Sequence, residues 1–196
     1  MMTYGFSMTE EDHCVYVKRL EDNFVILSLY VDDILLARNN IEFAQTIKEW
    51  LFSNFEMKDL GEASYILRVK IHMDHSRKLL ALSQESYIRR ILEKIKMEKC
   101  KLMDTPISKG QTLNLEMCPK TSKERNEMTR VSYSNAIRSL MYAMMCTRPD
   151  ICYAMGLVSR YQSNPGRKHW NVVKRILAYL KGTTGYSLCY QGGDLR

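Results

Sequence analysis

The sequence contains no apolar run of 18 residues, no Cys-x-x-Cys pair, no internal repeat and no low-complexity tract. The first absence excludes a helix that spans a bilayer. The N-terminus lacks a charged region followed by an apolar stretch and a cleavage site, so no secretory signal is expected. The 6 cysteines (Cys14, Cys100, Cys118, Cys146, Cys152 and Cys189) are scattered, which argues against a zinc site or a small disulfide scaffold and fits a reducing, cytoplasmic setting. Histidine is scarce, at 4 residues. His72 and His75 stand three apart, but no Cys or second His pair accompanies them, so they read as surface residues.

What is present is ordinary globular material: 196 residues, 45% hydrophobic and 26% charged, enough for one large domain or two small ones. The charge is unevenly divided. Residues 1–60 carry 5 Lys+Arg against 11 Asp+Glu, and residues 61–196 carry 24 against 11, so −6 is followed by +13 and the sum is the net +7. A basic excess of that size predicts a polyanionic partner. Nucleic acid fits better than a membrane, because no amphipathic helix of the interfacial kind stands out.

Along the chain, residues 1–12 read as polar and irregular. Residues 13–18 alternate and predict a strand, joined through 19–23 to an apolar strand at 24–31 and a short return strand at 34–37. Asn39-Asn40 is a helix start, and Ile41, Ala44, Ile47, Trp50 and Leu51 recur at helical spacing to about Ser53. Tyr65, Leu67, Val69 and Ile71 alternate, predicting one strand over 65–72 with a partner at 79–82. A helix is expected from Ser83 to about Lys96, then a long polar connection over 99–130. The last third predicts three helices: one on Ala136, Ile137, Leu140 and Met144, one over 151–161, and one over 167–181 stopped by Gly182.

The chain is organised around Asp32-Asp33, two adjacent acids between apolar strands. Two carboxylates at such a tip would be desolvated and mutually repelled unless solvated or met by a cation, for which Mg²⁺ suits oxygen ligands. Asp is also a common turn residue, so a plain solvated turn is the alternative. Metal-assisted phosphoryl transfer would need more than this doublet. Neighbouring strand residues point to opposite faces, so the tip must bend for both to share an ion, and a third carboxylate must come from another strand.

Tyr30-Val31-Asp32-Asp33 resembles the catalytic box of reverse transcriptases, and its surroundings resemble the Ty1/copia class of retrotransposon polymerases. Supporting blocks follow in that family's order: Phe55-Glu56-Met57-Lys58-Asp59-Leu60-Gly61, Leu82-Ser83-Gln84, Ser139-Leu140-Met141-Tyr142, Thr147-Arg148-Pro149-Asp150, and His169-Trp170 through Gly182-Thr183. The resemblance implies an α+β polymerase fragment. Residues 1–82 would form part of the palm, an antiparallel sheet with a covering helix and the primer-grip hairpin. Residues 83–130 would hold the first thumb helix and a connection, and 131–196 a helical thumb. It implies that Asp32 and Asp33 are the catalytic and metal-binding pair, served by Mg²⁺ or alternatively Mn²⁺. Tyr30, Arg68, Lys70, Arg138, Arg148, Lys174 and Arg175 become candidate contacts to an RNA or DNA template-primer duplex. The remaining polyprotein would be a partner, and a membrane would not.

The departures from that family carry weight too. Its other palm Asp and its fingers lie upstream, whereas this chain begins only 31 residues ahead of Asp32. The expectation is weak or no polymerisation by the chain alone, with a non-catalytic nucleic-acid-binding remnant of a decayed element as the alternative. Arg68 and Arg138, with Arg38 as a candidate third, stand where the family usually has Gly. If those glycines serve positive φ or close backbone approach, each Arg strains the fold, and reversion to Gly should stabilise it.

Overall fold

In the computed structural model, which describes residues 1–192, the chain forms two units, Met1–Ala63 and Ser64–Arg196. The architecture is α+β, with two antiparallel four-stranded sheets and six α-helices among the described residues. Among the described residues no helix is long and apolar enough to cross a membrane. The charge divides with the units: 5 Lys+Arg against 12 Asp+Glu in the first, 24 against 10 in the second.

The first unit is one sheet covered by one helix. Its sheet runs in the order β1 (Ser7–Met8), β2 (Val15–Leu20), β3 (Asn23–Tyr30) and β4 (Asp33–Arg38). Helix α1 (Ile41–Asn54) starts at Asn40, whose side chain accepts from the Phe43 amide at 2.9 Å. The predicted cap therefore forms, and it satisfies one of the amides a helix start leaves without a partner. Alternation along β3 sends Val25 and Leu27 into full burial beside Ala44, Ile47 and Leu51 of α1, while Phe24 and Tyr30 stay exposed on the other side. The run 24–31 is thus buried on one face only. Residues 1–12 are also more ordered than their polarity suggests. Phe6 is buried, Tyr4 stacks on Trp50 at 4.2 Å, and Lys18 donates to the Tyr4 carbonyl while lying 3.6 Å over its ring.

The second unit holds a sheet of β5 (Tyr65–Ile66), β6 (Val69–Asp74), β7 (Leu79–Ser83) and β8 (Leu188–Gln191), together with five helices. The single strand expected over 65–72 is instead a hairpin: Ile66 pairs with Val69, and the chain reverses at Leu67 and Arg68, both at positive φ. Helices α2 (Glu85–Lys94), α4 (Tyr133–Cys146), α5 (Cys152–Val158) and α6 (Arg167–Gly182) bury one common core, with Ile88, Leu140, Met155, Ile176 and Leu180 almost fully enclosed. Between them the polar connection contains an unexpected helix, α3 (Ser122–Thr129). Its start is a capping box in which Thr121 and Glu124 satisfy each other's amides.

The rest of the connection is strapped along α6. Lys181 donates to the Cys100 carbonyl at 2.7 Å, Arg175 to Thr105 at 2.9 Å, and the Tyr161 hydroxyl to the Leu113 carbonyl at 2.8 Å. His169 completes the strap. Its Nδ1 accepts from the Gly166 amide at 2.9 Å, so the ring proton sits on Nε2, which donates to the Asn114 carbonyl at 3.3 Å. Burial holds the imidazole pKa below its ordinary value, against the opposing pull of that carbonyl, and favours the neutral ring these bonds require.

Candidate functional site

Val31 and Asp32 form the two-residue loop between β3 and β4, with Tyr30 paired to Asp33 across the hairpin. Val31 has φ +52 and is 90% exposed. Positive φ at the first loop residue only is the sign pattern of a type II′ hairpin turn, whose usual occupant there is Gly. A β-branched residue in that region carries strain of about 1 to 3 kcal/mol, a feature that clusters at functional turns. The tip therefore bends at the position where both acids needed it to bend.

Register places the pair on the sheet. Leu29 opposite Ile34 and Leu27 opposite Leu36 lie on the face covered by α1, so Tyr30 opposite Asp33 and Ser28 opposite Leu35 lie on the uncovered face. Asp33 thus borders an open sheet surface with the exposed Tyr30 ring beside it, and Asp32 sits at the apex. Both carboxylates are exposed, and neither has a side-chain hydrogen bond or ion pair among the described residues.

These donors suit Mg²⁺ chemically. An ion of this kind is commonly held by one or two carboxylates together with substrate phosphates. Among the described residues, however, no group of three His, Cys, Asp or Glu side chains converges on one point. The pair supplies the oxygen donors such an ion takes and does not by itself make a self-sufficient metal site.

The other candidates lie in the second unit, and the structure separates them. Lys174 and Arg175 sit half-buried on α6 along the strap. Lys70 is exposed on β6, paired with Tyr65. Arg148 requires a correction: it is 2% exposed, and its guanidinium grips Asp150 at 3.0 and 2.6 Å and Thr183 at 3.1 and 2.6 Å. With its donors spent inside the fold it is a brace between the α4–α5 corner and the end of α6, not a phosphate contact.

Arg68 and Arg138 also part company. Arg68, at φ +65, is the second residue of a two-residue turn with positive φ at both positions, the type I′ pattern that favours Asn-Gly. Its guanidinium lies 6.0 Å from the Tyr87 ring, and Tyr142 donates to the neighbouring Leu67 carbonyl, pinning the turn to the helices. Arg138 stands exposed in mid-α4 at ordinary helical φ, so the strain expected there is absent, and Arg38 likewise shows no positive φ. The two reversions should therefore move in opposite directions. Arg68→Gly is expected to stabilise by about 0.5 to 1 kcal/mol after loss of the ring contact, and Arg138→Gly to destabilise by about 1 kcal/mol. Urea midpoints of both variants check this, and a shift in the same direction for both would refute it.

Comparison with known proteins follows the same lines. The model of the family described as "Reverse transcriptase (RNA-dependent DNA polymerase)" matches residues 1–109. The retrovirus-related Pol polyprotein from transposon TNT 1-94 of Nicotiana tabacum is 48% identical over 195 residues, which are 99% of this chain and 15% of that polyprotein. The polyprotein from transposon RE1 of Arabidopsis thaliana is 29% identical over 194 residues, 99% of this chain and 13% of its own length. A putative transposon Ty5-1 protein of Saccharomyces cerevisiae is 29% identical over 190 residues, 97% of this chain and 59% of that protein. The chain thus spans only a small part of the two polyproteins. No solved structure matches it.

Proposed function

The chain belongs to the reverse transcriptase (RNA-dependent DNA polymerase) family, as the reverse transcriptase region of a copia-type retrotransposon Pol polyprotein, and from that premise we propose that its Asp32-Asp33 turn is part of the polymerising site. The observation that carries the reading is the strained Val31 bend, which presents two exposed, unpaired carboxylates at one tip. When bound, Mg²⁺ supplies charge neutralisation at the phosphates and activation of a primer 3′ hydroxyl. Asp32 and Asp33 provide carboxylate oxygens to hold it, jointly with substrate phosphates. Tyr30, exposed on the uncovered sheet face and paired with Asp33 across the hairpin, offers a surface for the primer end.

The second unit contributes a basic surface for the template-primer, on which Arg68, Lys70, Arg138, Lys174 and Arg175 remain candidates. Lys and Arg contacts to phosphates give affinity without sequence preference, which suits copying any template. Because no third carboxylate joins the pair among the described residues, the chain on its own is expected to extend a primer weakly or not at all and still to bind duplex. That binding-only behaviour is the second reading.

Primer extension on an RNA–DNA heteroduplex with Mg²⁺ or Mn²⁺, run beside duplex binding across a salt series, tests both. The expected result is salt-sensitive binding that survives Asp32→Asn, with little extension. Robust extension abolished by Asp32→Asn would show that the site is already complete in this chain. Absence of duplex binding at any salt would remove the polymerase reading and the binding reading together.

A further inference from the structure

We propose that His169 is a proton-operated latch on the second unit: its neutral ring holds residues 113–118 against the start of α6, and protonation in mildly acid solution releases them. The latch is independent of the polymerase reading, since none of its residues is a candidate contact to metal or duplex.

The ring is 0% exposed, and both of its nitrogens are committed. Nδ1 accepts from the Gly166 amide at 2.9 Å, and Nε2 donates to the Asn114 carbonyl at 3.3 Å. One face stacks on Tyr161 at 4.0 Å, and the Tyr161 hydroxyl holds the neighbouring Leu113 carbonyl at 2.8 Å. Two side chains thus grip two consecutive carbonyls of the strap. A proton on Nδ1 would set one donor against another across the Gly166 contact and leave that buried amide without an acceptor. The Tyr161 face would favour a cation beside it, but it offers the amide no replacement.

Nothing nearby compensates the charge. The elements around the ring carry Glu116 and Cys118 on the strap, Arg160 beside Tyr161, Tyr133 on α4, and Arg167 and Lys168 on α6 itself. Glu116, Arg160, Arg167 and Lys168 are exposed, as are the charged residues of α2 and α4, and α5 has none. Among the described residues no carboxylate pairs with His169. Opening of the strap lets water solvate the imidazolium, and Ile107 and Leu113, its apolar anchors, are only partly buried against the core. Local opening therefore costs less than unfolding the helices. Burial lowers the ring pKa in the closed form, so the open form binds the proton more readily. Opening is favoured as pH falls below the ordinary histidine value of about 6.5 and is indifferent to pH above it.

Hydrogen exchange of the intact chain, followed by NMR from about pH 7.5 to 5.5, tests the latch. The reporters are the Gly166 amide and the Met117 and Cys118 amides, which bond to the Asn114 and Leu115 carbonyls. Expected are protection factors that stay level above about pH 6.5 and fall by up to about tenfold per pH unit below it, while amides of α4 keep theirs. His169→Asn, which has an oxygen acceptor and no titrating group, should remove the pH step. Tyr161→Phe should loosen the strap by one factor at every pH and leave the step in place, which a merely structural role for His169 would not separate. Level protection in the parent chain across the whole range, or a step that persists in His169→Asn, would overturn the latch. The imidazole signals of the parent give a second measurement that needs no variant. His13, His72 and His75 are exposed, so the His169 ring is told apart by its contact with Tyr161. Its titration should coincide with the loss of Gly166 protection, and a ring that titrates while the strap amides stay protected would also refute the proposal.

Discussion

Gly166→Ala is expected to cost the second unit about 3 kcal/mol, lowering its melting temperature by roughly 6 to 12 °C. A Cβ at this position would lie 1.9 Å from the Met117 carbonyl oxygen, with Met117 carbon at 3.0 Å and Cys118 Cα at 3.4 Å. All three are backbone atoms, so no side chain can swing away. The carbonyl cannot easily retreat either, because Leu113 and Asn114 just before it are bonded to Tyr161 and His169. Gly166 in turn donates its amide to His169, so a shift of the helix start would break that bond as well. The strain must therefore spread through both the strap and the first turn of α6.

Gly156 is the internal control. It lies in α5 with nothing within 4 Å of where a Cβ would stand. Gly156→Ala is therefore expected to stabilise, by up to about 1 kcal/mol, through helix propensity alone. Denaturant midpoints of the two variants side by side separate crowding from propensity. A loss below about 1 kcal/mol for Gly166→Ala would mean that the strap is not fixed over the helix start.

The elements that were legible in the sequence are those with strong local signals. The Asn40 cap with its apolar stripe marked α1, the acid doublet between apolar strands marked the β3–β4 hairpin, and the stripe ending at Gly182 marked α6. The misses have tertiary causes or weak signals. Leu67-Arg68 turns the chain without any of the usual turn residues, so its alternation read straight through as one strand. Helix α3 buries none of its residues and so shows no apolar stripe, although the Thr121-x-x-Glu124 box was a usable cue. Phe6 and Tyr4 owe their order to Trp50 and Lys18, which are far off in sequence. The acid doublet was visible as chemistry, but the bend that presents it is a backbone property of Val31, a residue type that ordinarily argues against such a bend.

Arg148 shows the same limit from the other side, since a cation in a basic segment proved to be a buried brace, and its pairing makes the second large prediction. Asp150→Ala is expected to destabilise by about 2 kcal/mol. Removing one partner of a buried pair typically costs about 3 to 5 kcal/mol, and two features reduce it here: the Asp150 side chain is 34% exposed, and Thr183 still accepts from the guanidinium. What remains is a guanidinium on a residue 2% exposed with no counter-charge, beside the Tyr179 and Tyr186 rings at 5.5 and 5.7 Å. If that uncompensated charge is the cause, adding Arg148→Met should recover part of the loss, because no buried charge is then left. The pH dependence gives a second check. Burial alone would raise the Asp150 carboxyl pKa, but hydrogen bonds from Arg148 and Tyr179 and the Arg148 charge outweigh it and hold the value below the ordinary one. A pKa lowered by folding means stabilisation that is complete above the unfolded value of about 3.9 and is lost as pH falls through the folded value. The gap between parent and Asp150→Ala should thus stay level from neutral pH down to about 4 and shrink below it. A gap that closes already between pH 7 and 5 would place its origin in another group, and an Asp150→Ala variant as stable as the parent would mean that Thr183 alone is enough to hold Arg148.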